Sequence, residues 1–173
     1  GFISLAAWLI LARGIQFNDA AEDETLDYND DAAPYGPILR ESRTWAICVA
    51  KAISDATWWF INFWLADFYR KTYELTTAEL AVPLGIAFAG SAFGALAAGW
   101  ISTRLLELGW SVNRVRKTVM LVSALVVTPL PFITQLNSFW PVAIMMGVVM
   151  AGHQGFSLSI FATITDVVPR GKV

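Results

Sequence analysis

Apolar residues come in blocks along this 173-residue chain, and the polar residues fall in the gaps between them. Four blocks, residues 44–69, 78–102, 118–135 and 140–167, are long enough for helices that cross a hydrocarbon core, which takes ~20 residues. A fifth, residues 2–12, is too short to span and is expected to be the last part of a helix that begins before residue 1. No charged segment precedes it, so a signal peptide is not expected. The connections are residues 13–43, 70–77, 103–117 and 136–139. Pro129 and Pro131 fall in the third span and predict a bent or frayed outer end, because proline removes a backbone donor.

Composition agrees with this pattern. Hydrophobic residues make up 56% of the chain and charged ones 15%, against about 25% charged in soluble domains. The class is all-α, a polytopic transmembrane helix bundle. A net charge of −2 gives no reason to expect nucleic acid as a partner; the lipid bilayer is the partner the pattern requires. The single cysteine, Cys48, excludes a disulfide framework within the chain.

Lysine and arginine set the orientation. Arg13, Arg40, Arg43, Arg104, Arg114, Arg116, Lys117, Arg170 and Lys172 fall on one side, and only Arg70 and Lys71 on the other. The first side is therefore expected to be cytoplasmic, with the four spans running out, in, out and in. Residues 14–37 carry seven acids and no base. Acids weigh little in topology, so this stretch reads as a cytoplasmic linker, disordered at least in part, within residues 13–43. Residues 44–173 are then a partial bundle.

Two charges inside the first span draw attention. Lys51 and Asp55 cost roughly 2.5–3.5 kcal/mol each near the centre of a bilayer helix, a cost seldom carried without a use. Lys51, Asp55, Trp58 and Asn62 follow i, i+4, i+7, i+11 and share one helix face, flanked by Trp59 and Phe63. The pair can bond across one turn, either as a structural lock to a neighbouring helix or at the edge of a cavity. Trp58, Trp59 and Asn62 suit a cavity lining, or ordinary packing and an interfacial belt. In the fourth span His153, Gln154 and Ser157 lie near mid-depth beside Gly152 and Gly155. They fit either substrate hydrogen bonding or bonding between helices.

The second span holds Gly85, Gly90, Gly94 and Gly99, with a GxxxG at 90–94, which is close-packing chemistry rather than a site. The sequence has no nucleophile–base pair, phosphate-binding glycine loop or metal-ligand spacing. It is not expected to be an enzyme, and no cofactor or metal is called for.

The residues KAISDATWWFINFWL (51–65) resemble the start of the seventh helix of hexuronate transporters, in the anion:cation symporter branch of the major facilitator superfamily. AGHQGFS (151–157) followed by TDVVPR (165–170) resembles their tenth helix. The basic stretch 99–117 is similar to the loop between helices eight and nine, with Ser102 and Thr103 where that loop commonly has an aspartate. The resemblance covers about residues 40–173. It implies the end of helix six, a central linker and helices seven to ten of a twelve-helix carrier. The rest, including the N-terminal six-helix bundle, would lie outside this chain.

It further implies proton-coupled uptake of a hexuronate or similar sugar acid across the bacterial inner membrane by alternating access. The main carboxylate-binding arginine and the coupling acids would lie in the missing bundle. Trp58, Trp59, Asn62, His153, Gln154 and Ser157 would supply sugar contacts, and Lys51–Asp55 a bundle or gate ion pair. The competing expectations are a carrier of another organic anion, such as an aldonate or a dicarboxylate, and a non-transporting structural subunit of a membrane complex.

Overall fold

The computed structural model describes residues 39–167, and every described element is helical. The short apolar run 2–12, the acidic stretch, Arg13, Arg170 and Lys172 lie outside the described residues. The elements are α1 (Ser42–Tyr73), α2 (Ala81–Glu107), α3 (Val112–Val127), a 3₁₀ turn (Leu130–Gln135) and α4 (Phe139–Val167).

α1 buries Ile47, Ala50, Ser54, Ile61, Leu65 and Tyr69, a three-and-four spacing that forms one stripe. Arg70 and Lys71 occupy its last turn, where cations favour the helix C-terminus. Glu74 then ends it with a left-handed backbone, φ 55°. Within the α1–α2 connection, the amide and hydroxyl of Thr76 both donate to the Glu79 carboxylate, at 2.8 and 2.6 Å. This is the S/T-x-x-E arrangement that starts a helical turn.

α2 stops in a Schellman motif. The Trp110 amide donates to Leu105 O (3.1 Å) and the Gly109 amide to Leu106 O (2.9 Å). Gly109 takes φ 79°, which only glycine adopts without strain. Leu105 and Trp110 pack on the same small cluster of Ala98, Val115 and Val119, the apolar contact that usually accompanies the motif. The expected basic loop 103–117 is thereby much shorter. Arg104 sits in α2 and Arg114, Arg116 and Lys117 in α3.

α3 ends at Val127, close to where the prolines forecast it. Pro129 and Pro131 have no N–H to offer the carbonyls one turn back, and the chain tightens into the 3₁₀ turn.

α4 is the hub. It packs along α2, α3 and α1, and its buried residues run around most of its circumference. A helix apolar all round belongs inside a bundle. The α2–α4 approach is closest where Gly90 faces Gly147 and Gly94 faces Ala151 backbone to backbone. The GxxxG of the sequence thus does the packing expected of it, while Gly85 and Gly99 face open space. α1 runs antiparallel to α4. Ile61, Leu65 and Tyr69 meet Met146, Val149 and Met150, and the Tyr73 hydroxyl donates to Leu136 O at 2.6 Å.

Among the described residues three segments are long and apolar enough to cross a membrane: Ala81–Glu107, Val112–Gln135 and Phe139–Thr165. α1 has the length, but Lys51, Asp55, Asn62 and Asp67 interrupt its apolar run, so composition alone does not place it with the other three.

Candidate functional site

The α1–α4 seam changes character near its middle. The apolar contacts of Ile61 and Leu65 give way to Ser54 and Trp58 facing His153, then to Lys51 facing Ser157. The reason is local. The stripe 51, 55, 58, 62 lies about 70° around α1 from the stripe that packs on α4, so its members straddle the edge of that contact.

Lys51 is the centre of one half. Its ammonium donates to Asp55 Oδ1 at 2.6 Å and to Ser157 Oγ at 2.8 Å, and it stands 4.7 Å from the Phe161 ring centroid. The pair within α1 anticipated from the sequence is formed, and its cation also reaches across to α4. The Lys51 and Asp55 side chains are 23% and 38% exposed, so the pair lies at an open edge rather than in the core.

His153 is the centre of the other half and is only 5% exposed. Its Nε2 lies 2.9 Å from Ser54 O and 3.1 Å from Ser54 Oγ. A carbonyl can only accept, so the bond assigns the proton to Nε2, which donates to Ser54 O. Nδ1 is then the acceptor nitrogen. It is buried and has no hydrogen-bond partner among the described residues. The imidazole stacks on Trp58 with centroids 5.4 Å apart and 22° between planes.

The remaining expected residues divide. Asn62 is half-buried and donates its amide to Trp58 O at 2.8 Å, which leaves its carbonyl oxygen to accept. Gln154 is half-buried, shares the α4 face of Phe161, and makes no hydrogen bond among the described residues. Trp59 is not brought to the seam. It is 57% exposed and stacks on Phe63 at 5.8 Å, on the flank of the stripe turned away from α4. Trp58 therefore meets His153, and Lys51, paired with Asp55, meets Ser157, while Trp59 stands outside these contacts.

Ser54 and Phe161 were not singled out by the sequence reading. Ser54 had a signal: it lies on the buried α1 stripe, one turn before Trp58. Phe161 had none, because only the folded seam brings the Lys51 ammonium above its ring.

Chemically the seam offers an aromatic face, an unmet acceptor nitrogen, a carbonyl and a hydroxyl. Ser157 accepts from Lys51, so its own hydrogen remains to be donated. Among the described residues no cluster of three His, Cys, Asp or Glu could hold a metal ion.

Comparison with known proteins is consistent in kind. Residues 1–173 match the family model of the Major Facilitator Superfamily. A hexuronate transporter of Escherichia coli K12 is 23% identical over 186 residues, covering 99% of this chain and 43% of that protein. A probable chloroplastic anion transporter 1 of Oryza sativa subsp. japonica is 28% identical over 141 residues, covering 79% of this chain and 26% of the relative. A chloroplastic sodium-dependent phosphate transport protein 1 of Arabidopsis thaliana is 24% identical over 183 residues, covering 98% and 35%. The chain spans less than half the length of these relatives. No solved structure matches it.

Proposed function

The chain belongs to the major facilitator superfamily, and from that premise we propose that it is part of the second six-helix half of a secondary active sugar-acid transporter. Membership makes it an integral membrane transport protein and not an enzyme. In the proposed reading α1 to α4 are helices seven to ten, α1 spans the membrane with the others, and two bundles rock about a site at mid-depth. The cargo is a hexuronate or similar sugar acid, taken up with a proton across a bacterial inner membrane.

The observation that carries the reading is the buried, unmet acceptor of His153 against the face of Trp58, one turn from the partly exposed Lys51–Asp55 pair. A sugar presents apolar C–H faces and hydroxyl donors together. The tryptophan suits the first and His153 Nδ1 the second. Ser157, Asn62 and Gln154 add a donor, an acceptor and an amide within the same stretch, and Trp59 extends the aromatic surface outward. Lys51 and Asp55 cancel each other's charge. The anion's charge would then be met by the other bundle or by the co-transported proton, and the pair's own role is to hold α1 on α4 at the edge of the site.

The test is uptake of labelled glucuronate into vesicles holding the full transporter that carries this segment. Losing a hydrogen bond that leaves a polar partner unmet costs about 1–3 kcal/mol, or about five- to 150-fold. His153→Ala and Trp58→Ala are each expected to raise KM by about tenfold or more. Unchanged KM in both variants overturns the assignment of the site. The names of the plant relatives favour a second reading, an anion transporter for phosphate or another small anion. Phosphate has no apolar face for Trp58, so under that reading excess phosphate abolishes glucuronate uptake and Trp58→Ala leaves phosphate uptake intact.

A further inference from the structure

α2 and α3 splay apart over α4 and leave an almost wholly apolar groove of about 750 Å³ on the side of the bundle away from the polar seam. Ala97 and Ile101 form one wall, Thr118 and Val122 the other, and Ala151 and Gly155 lie in the floor. The groove is in the size range of pockets that enclose an organic molecule. Its α2 wall runs from Ile86 to Ile101, about 22 Å at 1.5 Å per residue. That exceeds the ~15 Å depth of one bilayer leaflet, so an acyl chain fits along it.

The end of the groove is charged. Arg104 follows Ile101 by three residues on the same face of α2, and Arg114 precedes Thr118 by one turn on α3. One arginine thus stands just beyond each wall, both on the side of the short α2–α3 turn. Both are anchored without being used up. Arg104 Nη1 donates to Glu107 Oε2 at 2.8 Å, with the two side chains 61% and 56% exposed. The Arg114 guanidinium lies 4.1 Å over the Trp110 ring, a contact that leaves its N–H donors free. Trp110 is itself suited to the membrane–water boundary.

From this charge complementarity we propose that the α2–α3–α4 groove is a binding site for an anionic phospholipid. One acyl chain lies along the glycine-rich floor, and the phosphate is held between Arg104 and Arg114. Basic residues beside an apolar cleft between spans are the chemistry that selects anionic headgroups. Glu107 competes with that phosphate for Arg104 and so weakens the site. The proposal rests on α2 to α4 lying in a bilayer and not on the cargo.

Native mass spectrometry of the full transporter that carries this segment, in detergent and titrated with dioleoyl-phosphatidylglycerol or dioleoyl-phosphatidylcholine, tests it. The glycerol lipid is expected to survive at detergent levels that strip the choline lipid. Arg104→Gln with Arg114→Gln should lower retention of the anionic lipid about tenfold and leave the choline lipid unchanged. Glu107→Gln should raise retention of the anionic lipid, a gain that misfolding cannot produce. Ala97→Phe fills the groove and should remove the adduct with both arginines in place. Equal retention of the two lipids, or no response to either the arginine or the Glu107 change, overturns the proposal. So does a lipid-free dimer that Ala97→Phe breaks, because a second copy of the chain would then occupy the groove.

Discussion

Replacing glycine by alanine at two positions of one helix should shift stability in opposite directions. A β-carbon on Gly90 would lie 2.6 Å from the carbonyl carbon of Gly147 and 2.7 Å from its α-carbon. Ordinary carbon contacts are about 3.5–4.0 Å. Both neighbours are backbone, so no rotamer change relieves the overlap, and α2 and α4 must part by about 1 Å. A gap of that size forfeits a quarter to a half of the contact energy along the seam, and overpacking of this kind costs about 1–3 kcal/mol. Gly99 meets nothing within 4 Å. Alanine there only gains helix propensity, about 0.8–1.0 kcal/mol. Gly90→Ala carries the same propensity gain, so it is expected to destabilise the chain by up to about 2 kcal/mol while Gly99→Ala stabilises it, a difference of about 1–3 kcal/mol set by the overpacking alone. Equilibrium unfolding in mixed detergent, followed by far-ultraviolet circular dichroism, reads both. Shifts of the same sign and size would refute the argument, since the only difference between the sites is what faces them.

Three further outcomes follow from the same geometry. In the full transporter, Lys51→Asp and Asp55→Lys should each disable uptake and the double exchange should restore it in part, because the 2.6 Å pair is remade while the contact to Ser157 is lost; absence of any rescue would remove the pair from the mechanism. Ser54→Ala deletes the hydroxyl near His153 but keeps the backbone carbonyl that accepts from it, so the unfolding free energy should fall by no more than about 1 kcal/mol, and a loss of several would show that the hydroxyl, not the carbonyl, holds the imidazole. Donation from the Thr76 hydroxyl, and then from its amide, holds the Glu79 carboxyl below its ordinary range, so the turn is stabilised at pH values above that range and the contribution is lost as pH falls through the depressed value. Unfolding midpoints of the parent and Glu79→Gln chains should therefore differ near neutral pH and converge only as the pH falls below the ordinary glutamate range; parallel curves would contradict the assignment.

Much of the fold could be read from residue order. The α2 and α4 spans follow from apolar runs with few charges, the end of α3 from Pro129 and Pro131, and the α2–α4 packing mode from the spacing of Gly90 and Gly94. The α2–α3 connection was read as longer than it is, because charges that mark a loop in a membrane sequence also sit comfortably on helix ends that emerge from the apolar layer. Arg104, Arg114, Arg116 and Lys117 are all helical for that reason. At the site, Lys51 and Asp55 were legible as a pair because both lie on one helix, four residues apart. Trp59 flanks the stripe, as its position one residue, or 100° of rotation, from Trp58 requires, and it stacks on Phe63 on the outer side.

What the sequence determined by itself was everything that depends on short-range periodicity: helical class, approximate spans, the polar stripe on α1 and the small-residue stripe on α2. What only the tertiary structure decided was pairing between helices separated by about a hundred residues. Lys51 with Ser157, Ser54 with His153, and the Trp58–His153 stack depend on the rotation and depth at which α1 meets α4. No periodicity within either helix encodes those two quantities. They are set where the side chains of both helices fill the seam together, and that is also what leaves one nitrogen of His153 without a partner.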